Sequence, residues 1–156
     1  MRGLNMSKRY IATTSDVHVV PGGPLSEEDR TRIVKTTEAY IEAASRLDAP
    51  GVIKLLASDV VYESQWTLEP IEGRKSVGDY ITAKYQTVRR SEAARPEFQL
   101  GWIDLPQGTN YPVALVTQFG KAEAFVALSV DPEGLITRHD ILGLAPRASE
   151  VKIQRS

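Results

Sequence analysis

The sequence has no cysteine, which excludes thiol nucleophiles, thiolate metal centres and structural disulfides together. It has two histidines, too few in the absence of thiols for a multi-ligand transition-metal site. Neither sign of charge is in excess: 19 Lys and Arg stand against 20 Asp and Glu. No basic stripe is therefore available to neutralise phosphates, and nucleic acid is not an expected partner. No apolar run approaches the roughly 20 residues of a membrane span. Near the start, Tyr10, Ile11 and Ala12 run straight into Thr13, Thr14, Ser15 and Asp16, too short for a signal-peptide core; a cytoplasmic location is expected. No glycine-rich phosphate loop or dinucleotide fingerprint follows an expected strand, so no cofactor is expected.

What is present has the balance of a globular chain. Its 156 residues, 42% hydrophobic and 25% charged, suffice for one domain with its own core. Residues 1–25 mix charge, small polar residues and the breaker Pro21-Gly22-Gly23-Pro24 without a sustained period, and read as a flexible arm in which His18 is exposed and inert. Met6 is an alternative start to Met1. The folded domain is expected over 26–145, followed by a polar, fraying tail at 146–156.

Within that domain, Ser26 followed by Glu27, Glu28 and Asp29 is an N-cap with acids opposing the helix dipole. The stripe Ile33, Thr37, Tyr40, Ile41 and Ala44 then predicts a helix over about 26–46. Asp48 caps a short second helix with Pro50 in its first turn. Val60 to Trp66, rich in β-branched and aromatic residues, reads as a strand, and Glu72-Gly73 as a turn. Ser76, with Asp79 three positions on, is expected to cap a third helix carrying Val77, Tyr80, Ile81, Lys84, Tyr85 and Val88. Four strands follow, at about 97–105, 111–119, 121–130 and 135–143, separated by turn chemistry suited to antiparallel connections. Helices and strands are segregated, which predicts an α+β protein rather than alternating βαβ units.

This order resembles the nuclear transport factor 2-like superfamily, which includes SnoaL-like polyketide cyclases and ketosteroid isomerase. The resemblance spans about 26–145. It rests on Tyr40-Ile-Glu-Ala-Ala-Ser-Arg-Leu-Asp48-Ala-Pro-Gly51, on Leu55-Leu56-Ala57-Ser58-Asp59-Val60-Val61-Tyr62, on Ile71-Glu72-Gly73-Arg74-Lys75-Ser76-Val77 and on Asp131-Pro-Glu-Gly134-Leu-Ile136. It implies three N-terminal helices packed in the concave face of a curved, mainly antiparallel sheet: a cone-shaped α+β barrel, open at one end to a ligand. Aligned by those segments, Tyr40 falls where ketosteroid isomerase keeps its oxyanion-hole tyrosine. Ser64 falls at the general-base aspartate and Val126 at the protonated aspartate. Two of the three working groups of that enzyme are missing, so steroid isomerisation is not expected.

The same alignment implies a pocket lining. Strand alternation turns Tyr62, Ser64 and Trp66 to one face; Ala122, Ala124, Val126 and Leu128 line the next wall, and Thr137, His139 and Ile141 the last. His139 is then the one imidazole in the pocket and the candidate acid or base, with Tyr40 either donating to a ligand oxygen or packing as core. In the opposite register, Arg138 and Asp140 point inward and His139 outward. Ser64 reads as polar lining and not as a nucleophile, since no elbow or adjacent base accompanies it. Three functions stay open: a cofactor-free isomerase, cyclase or hydrolase acting on a small carbonyl-bearing or polycyclic molecule; a non-catalytic binding or dimerisation module; and a protein-binding module using the outer sheet face. A homodimer through that face is expected, because Phe125 and Ala127 project there and are too apolar for a solvated surface.

Overall fold

The computed structural model describes residues 8–12, 25–64, 69–91, 95–104, 110–118, 121–143 and 151–155, with the backbone alone described at 8–12, 104, 110, 121–123 and 151–155. Strand β1 (Lys8–Ala12) precedes helices α1 (Glu27–Ser45) and α2 (Ala49–Ile53); then come β2 (Leu56–Ser64), β3 (Ile71–Glu72) and helix α3 (Arg74–Arg90). The chain continues through β4 (Glu97–Asp104), β5 (Asn110–Gln118), β6 (Lys121–Val130), β7 (Ile136–Gly143) and β8 (Val151–Arg155).

The cap chemistry explains where the first two helices begin. Ser26 Oγ accepts from the Asp29 amide at 3.0 Å, and the Asp48 carboxylate accepts from Gly51 N at 3.0 Å, each satisfying an amide that a helix start leaves orphaned. The third helix departs from expectation. Its N-cap is Gly73, at φ 93° and ψ 144° with no side-chain cap, so Ser76 lies inside the helix. The chain must turn abruptly out of β3, and a positive φ at Gly73 makes that turn at no steric cost. Strand β2 also starts earlier than expected, at Leu56, taking in residues that follow α2 directly.

The strands form one curved sheet in the order β3-β2-β7-β6-β5-β4-β1-β8. The pairs β2–β7 and β1–β4 are parallel; the other neighbours are antiparallel. The stretches read as arm and tail thus contribute β1 and β8, which pair with each other and cover the edge of β4. Both are short, and five residues give too little alternation to announce a strand when the partner is at the far end of the chain.

Helix α1 lies across β4, β5 and β6, and α3 packs on β2 and β3. The helix-side core gathers Tyr40, Ala44, Leu56, Tyr62, Val77, Ile81, Tyr85, Val126 and Leu128 among others; burying one such large side chain is worth about 1.5–3 kcal/mol. A second cluster contains Tyr111, Val113, Leu115, Phe125 and Ala127, which alternate along β5 and β6 with the helix-side residues Ala114 and Val126. Phe125 and Ala127 are each 1% exposed within the single chain. The exposed apolar patch from which a dimer is expected is therefore not there, and that argument for a homodimer falls.

The β6–β7 turn sets the register of the last strand. Asp131 Oδ1 accepts from the amides of Glu133 and Leu135, both at 2.9 Å, while Gly134 takes φ 88°. Register shifts interrupt β2–β7 between Leu56 and Val61 and β6–β7 between Ser129 and Val130. Beyond them Tyr62 pairs with His139 and Ser64 with Ile141.

Candidate functional site

The register carries His139 to the helix side of the sheet. It is 2% exposed, its ring stacks on Tyr62 with centroids 4.5 Å apart, and its Nε2 is hydrogen-bonded to the Tyr40 hydroxyl from α1 at 2.9 Å. Tyr40 in turn meets the Phe98 ring edge-on at 6.3 Å. The two residues singled out for chemistry thus touch, although they stand on different elements. Arg138 and Asp140 take the other face, where Arg138 Nε donates to Asp140 Oδ2 at 3.1 Å and its Nη2 donates to Glu63.

The electrostatics of the helix side are those of neutral groups in an apolar setting. Desolvation drives the His139 pKa down to about 3, Lys84 adds to the fall, and a contact with the ring's own backbone offsets a little of it. Among the described residues Nδ1 is nonetheless buried without a partner of good hydrogen-bond geometry, as is Thr37 Oγ1 one turn before Tyr40 on α1. Tyr40 is held well above the ordinary phenol range, by burial first and then by the neighbouring Tyr85 and Tyr62 hydroxyls. Burial likewise raises Tyr62, and pushes Tyr85 to about 12. All four groups are neutral near pH 7; they can exchange hydrogen bonds but carry no charge.

Of the expected lining, Tyr62, Ser64, Ala124 and Val126 are buried, and Ile141 packs half-buried against the helix-side core. Thr137 departs from the expected alternation. The register shift puts Ile136 into the core in its place, and the Thr137 hydroxyl donates to the Ser129 carbonyl at 3.2 Å. Trp66 and His18 lie outside the described residues, and of Ala122 only the backbone is described. The alignment misses Thr37, Tyr85 and Lys84. The last had a visible signal: a lysine within the otherwise apolar stripe of the third helix.

The interior is not an empty cone, since Tyr40, Tyr62, Tyr85 and His139 pack together there. Half-buried apolar side chains border them: Phe98 and Val116, paired across β4 and β5, with Ile141 on β7 and Tyr80 and Val88 on α3. A separate groove of about 720 Å³ runs between the start of α1 and the β6–β7 turn, lined by Glu27, Glu28, Lys35, Leu55 and Glu133 among others. Glu27, Glu28, Lys35 and Glu133 are exposed there and Arg32 is half-buried, and the groove contains none of the expected site residues. Among the described residues no group of three or more His, Asp or Glu could hold a metal ion, and no helix is long and apolar enough to cross a membrane.

Comparison with solved structures finds this fold in several bacterial proteins. An NTF2-like protein of unknown function from Mesorhizobium loti is 11% identical, covers 79% of this chain and 99% of its own, and superposes with a TM-score of 0.57. A SnoaL-like protein of unknown function from Burkholderia thailandensis is 13% identical over 78% of this chain and 100% of its own, with a TM-score of 0.55. The chain has the nuclear transport factor 2-like fold. A candidate ketosteroid isomerase from Kribbella flavida shares the fold at 17% identity, over 75% of this chain and 81% of its own, with a TM-score of 0.52. At these identities the likeness is one of architecture. No protein-family model matches the sequence, and comparison with curated proteins finds no match.

Proposed function

We propose that this nuclear transport factor 2-like domain binds a small, largely apolar molecule bearing a carbonyl or hydroxyl oxygen, with Tyr40 and His139 as its polar contacts. The observation that carries the reading is a buried imidazole with one nitrogen bonded to Tyr40 and the other unpartnered. An unmatched buried polar atom costs about 1–3 kcal/mol, and a ligand oxygen at Nδ1 relieves that cost. Because the ring is neutral, it selects by hydrogen bonding and not by charge. The half-buried rim of Phe98, Val116 and Ile141 supplies the apolar surface such a ligand needs.

A second reading, cofactor-free proton transfer in an isomerase, cyclase or hydrolase, draws on the direct Tyr40–His139 hydrogen bond. His139 would take up or release a proton while Tyr40 stabilises the oxygen that gains charge. Against it stands the depressed His139 pKa of about 3, which makes the imidazole a weak base near neutrality. Binding is therefore the primary reading.

The test is a fluorescence titration with 2-acetylnaphthalene, an apolar ketone. The wild type should bind it saturably, and His139→Leu should weaken binding by about tenfold, the equivalent of one hydrogen bond, while circular dichroism is unchanged. Equal affinity in the two proteins would remove His139 from the site.

A further inference from the structure

A charged side chain, Lys84, stands at the border of this cluster, and among the described residues no counter-charge meets it. Tyr80, Lys84 and Val88 follow at helical spacing along one stripe of α3. Tyr80 and Val88 are half-buried against the helix-side core, and the Tyr80 ring lies 5.0 Å from that of Tyr62. Lys84 stands between them, exposed as a residue, yet its Nζ turns in to donate to the Tyr62 hydroxyl at 3.4 Å.

Among the described residues no carboxylate pairs with this ammonium. The acid on the neighbouring turn, Asp79, is engaged by Lys75 at 3.1 Å. Desolvation is the one influence acting on Lys84, and it lowers the pKa. The positive field extends inward, since Lys84 contributes to the depression of His139. A partly desolvated cation whose described partner is a neutral phenol is costly unless something negative arrives.

We propose that the molecule bound at this site is an apolar carboxylic acid, whose carboxylate pairs with Lys84 Nζ at the border while its hydrocarbon body lies against Tyr62 and Tyr80. This rests on the binding reading above and names its ligand class. Lys84 is then the residue that determines specificity, selecting the anion; the neutral Tyr40–His139 pair has no charge with which to do so. A charge-assisted hydrogen bond is roughly twice as strong as a neutral one, so the preference should be large enough to measure.

The experiment compares 2-naphthylacetate with 2-naphthylacetamide, which match in shape and differ in charge, on wild type, Lys84→Met and Lys84→Arg near neutral pH. The wild type should bind the carboxylate about tenfold more tightly than the amide. Lys84→Met should abolish that preference, and Lys84→Arg should keep most of it. Circular dichroism confirms folding, which an exposed position tolerates. Equal binding of the two probes by wild type, or a preference that survives Lys84→Met, overturns the assignment of Lys84 and leaves the binding reading standing. Failure of both probes and of 2-acetylnaphthalene to bind folded wild type overturns the two together.

Discussion

His139 and Asp140 are neighbours on β7, yet they enter opposite sides of the sheet, and each side accommodates buried polarity differently. On the helix side, tyrosines and a neutral imidazole exchange hydrogen bonds, and among the described residues nothing matches His139 Nδ1 or Thr37 Oγ1. On the other side, Asp140, 4% exposed, is held by the Arg138 guanidinium, which also reaches Glu63. Burial works against the charge on Arg138, but Asp140 and Glu63 outweigh it and hold the pKa above its ordinary value. Charge persists where a counter-charge lies within hydrogen-bond reach, and burial neutralises the group where none does. The one side answers buried charge with counter-charge, whereas the neutral side leaves the His139 Nδ1 and Thr37 Oγ1 without described partners.

The sharpest way to break this comparison is to remove the cation. Arg138→Met takes the guanidinium away from the buried Asp140, and urea unfolding should show a loss of about 3 kcal/mol, as for other disrupted buried pairs. A loss under about 0.5 kcal/mol, the scale of surface pairs, would show that the two faces do not differ in this way.

The next effect is a pH dependence belonging to the neutral side. His139 has a folded pKa near 3 against an ordinary 6.5, so between those values the unfolded chain binds more protons than the folded one. Stability is therefore present above about pH 6.5 and is lost progressively as pH falls toward the folded value. From about pH 7 to about pH 5 the wild type should lose about 2 kcal/mol more than His139→Gln. Parallel losses in the two proteins would mean that the imidazole is not held neutral by the fold.

The smallest effect sharpens the charged side. Tyr111 donates to the Leu128 carbonyl at 2.6 Å, a neutral hydrogen bond on the face that Asp140 shares. Tyr111→Phe should cost about 1 kcal/mol, well below Arg138→Met, and a cost equal to that of Arg138→Met would place the stability of this face in its hydrogen bonds and not in its charges.

Much of the architecture is legible because it is written in local chemistry. Ser26 and Asp48 announce helix starts through caps that act within three residues, and the Asp131 turn sets the strand that carries His139. The contact between Tyr40 and His139 follows once α1 and β7 are placed on one another. What escapes the sequence depends on distant parts of the chain. Thr137 violates alternation because a bulge at Ser129 and Val130 resets the period. Gly73 displaces Ser76 as the cap because the demand comes from the direction of β3. The tyrosine-filled interior is a matter of side-chain volume, which a binary pattern of apolar and polar residues does not record.

The edge of the sheet has a consequence for how the chain reaches this structure. Strands β4 to β7 are joined in order by antiparallel neighbours, whereas β1 must find β4 across the helices and β8 must find β1 from the far end of the chain. Contacts close in sequence form before those that close long loops. The meander is therefore the early structure, and β1 with β8 completes it late. In the interval β4 presents an unpaired row of backbone donors and acceptors, a template for another chain. Refolding at high concentration is thus a race between the protein's own first strand and its neighbours.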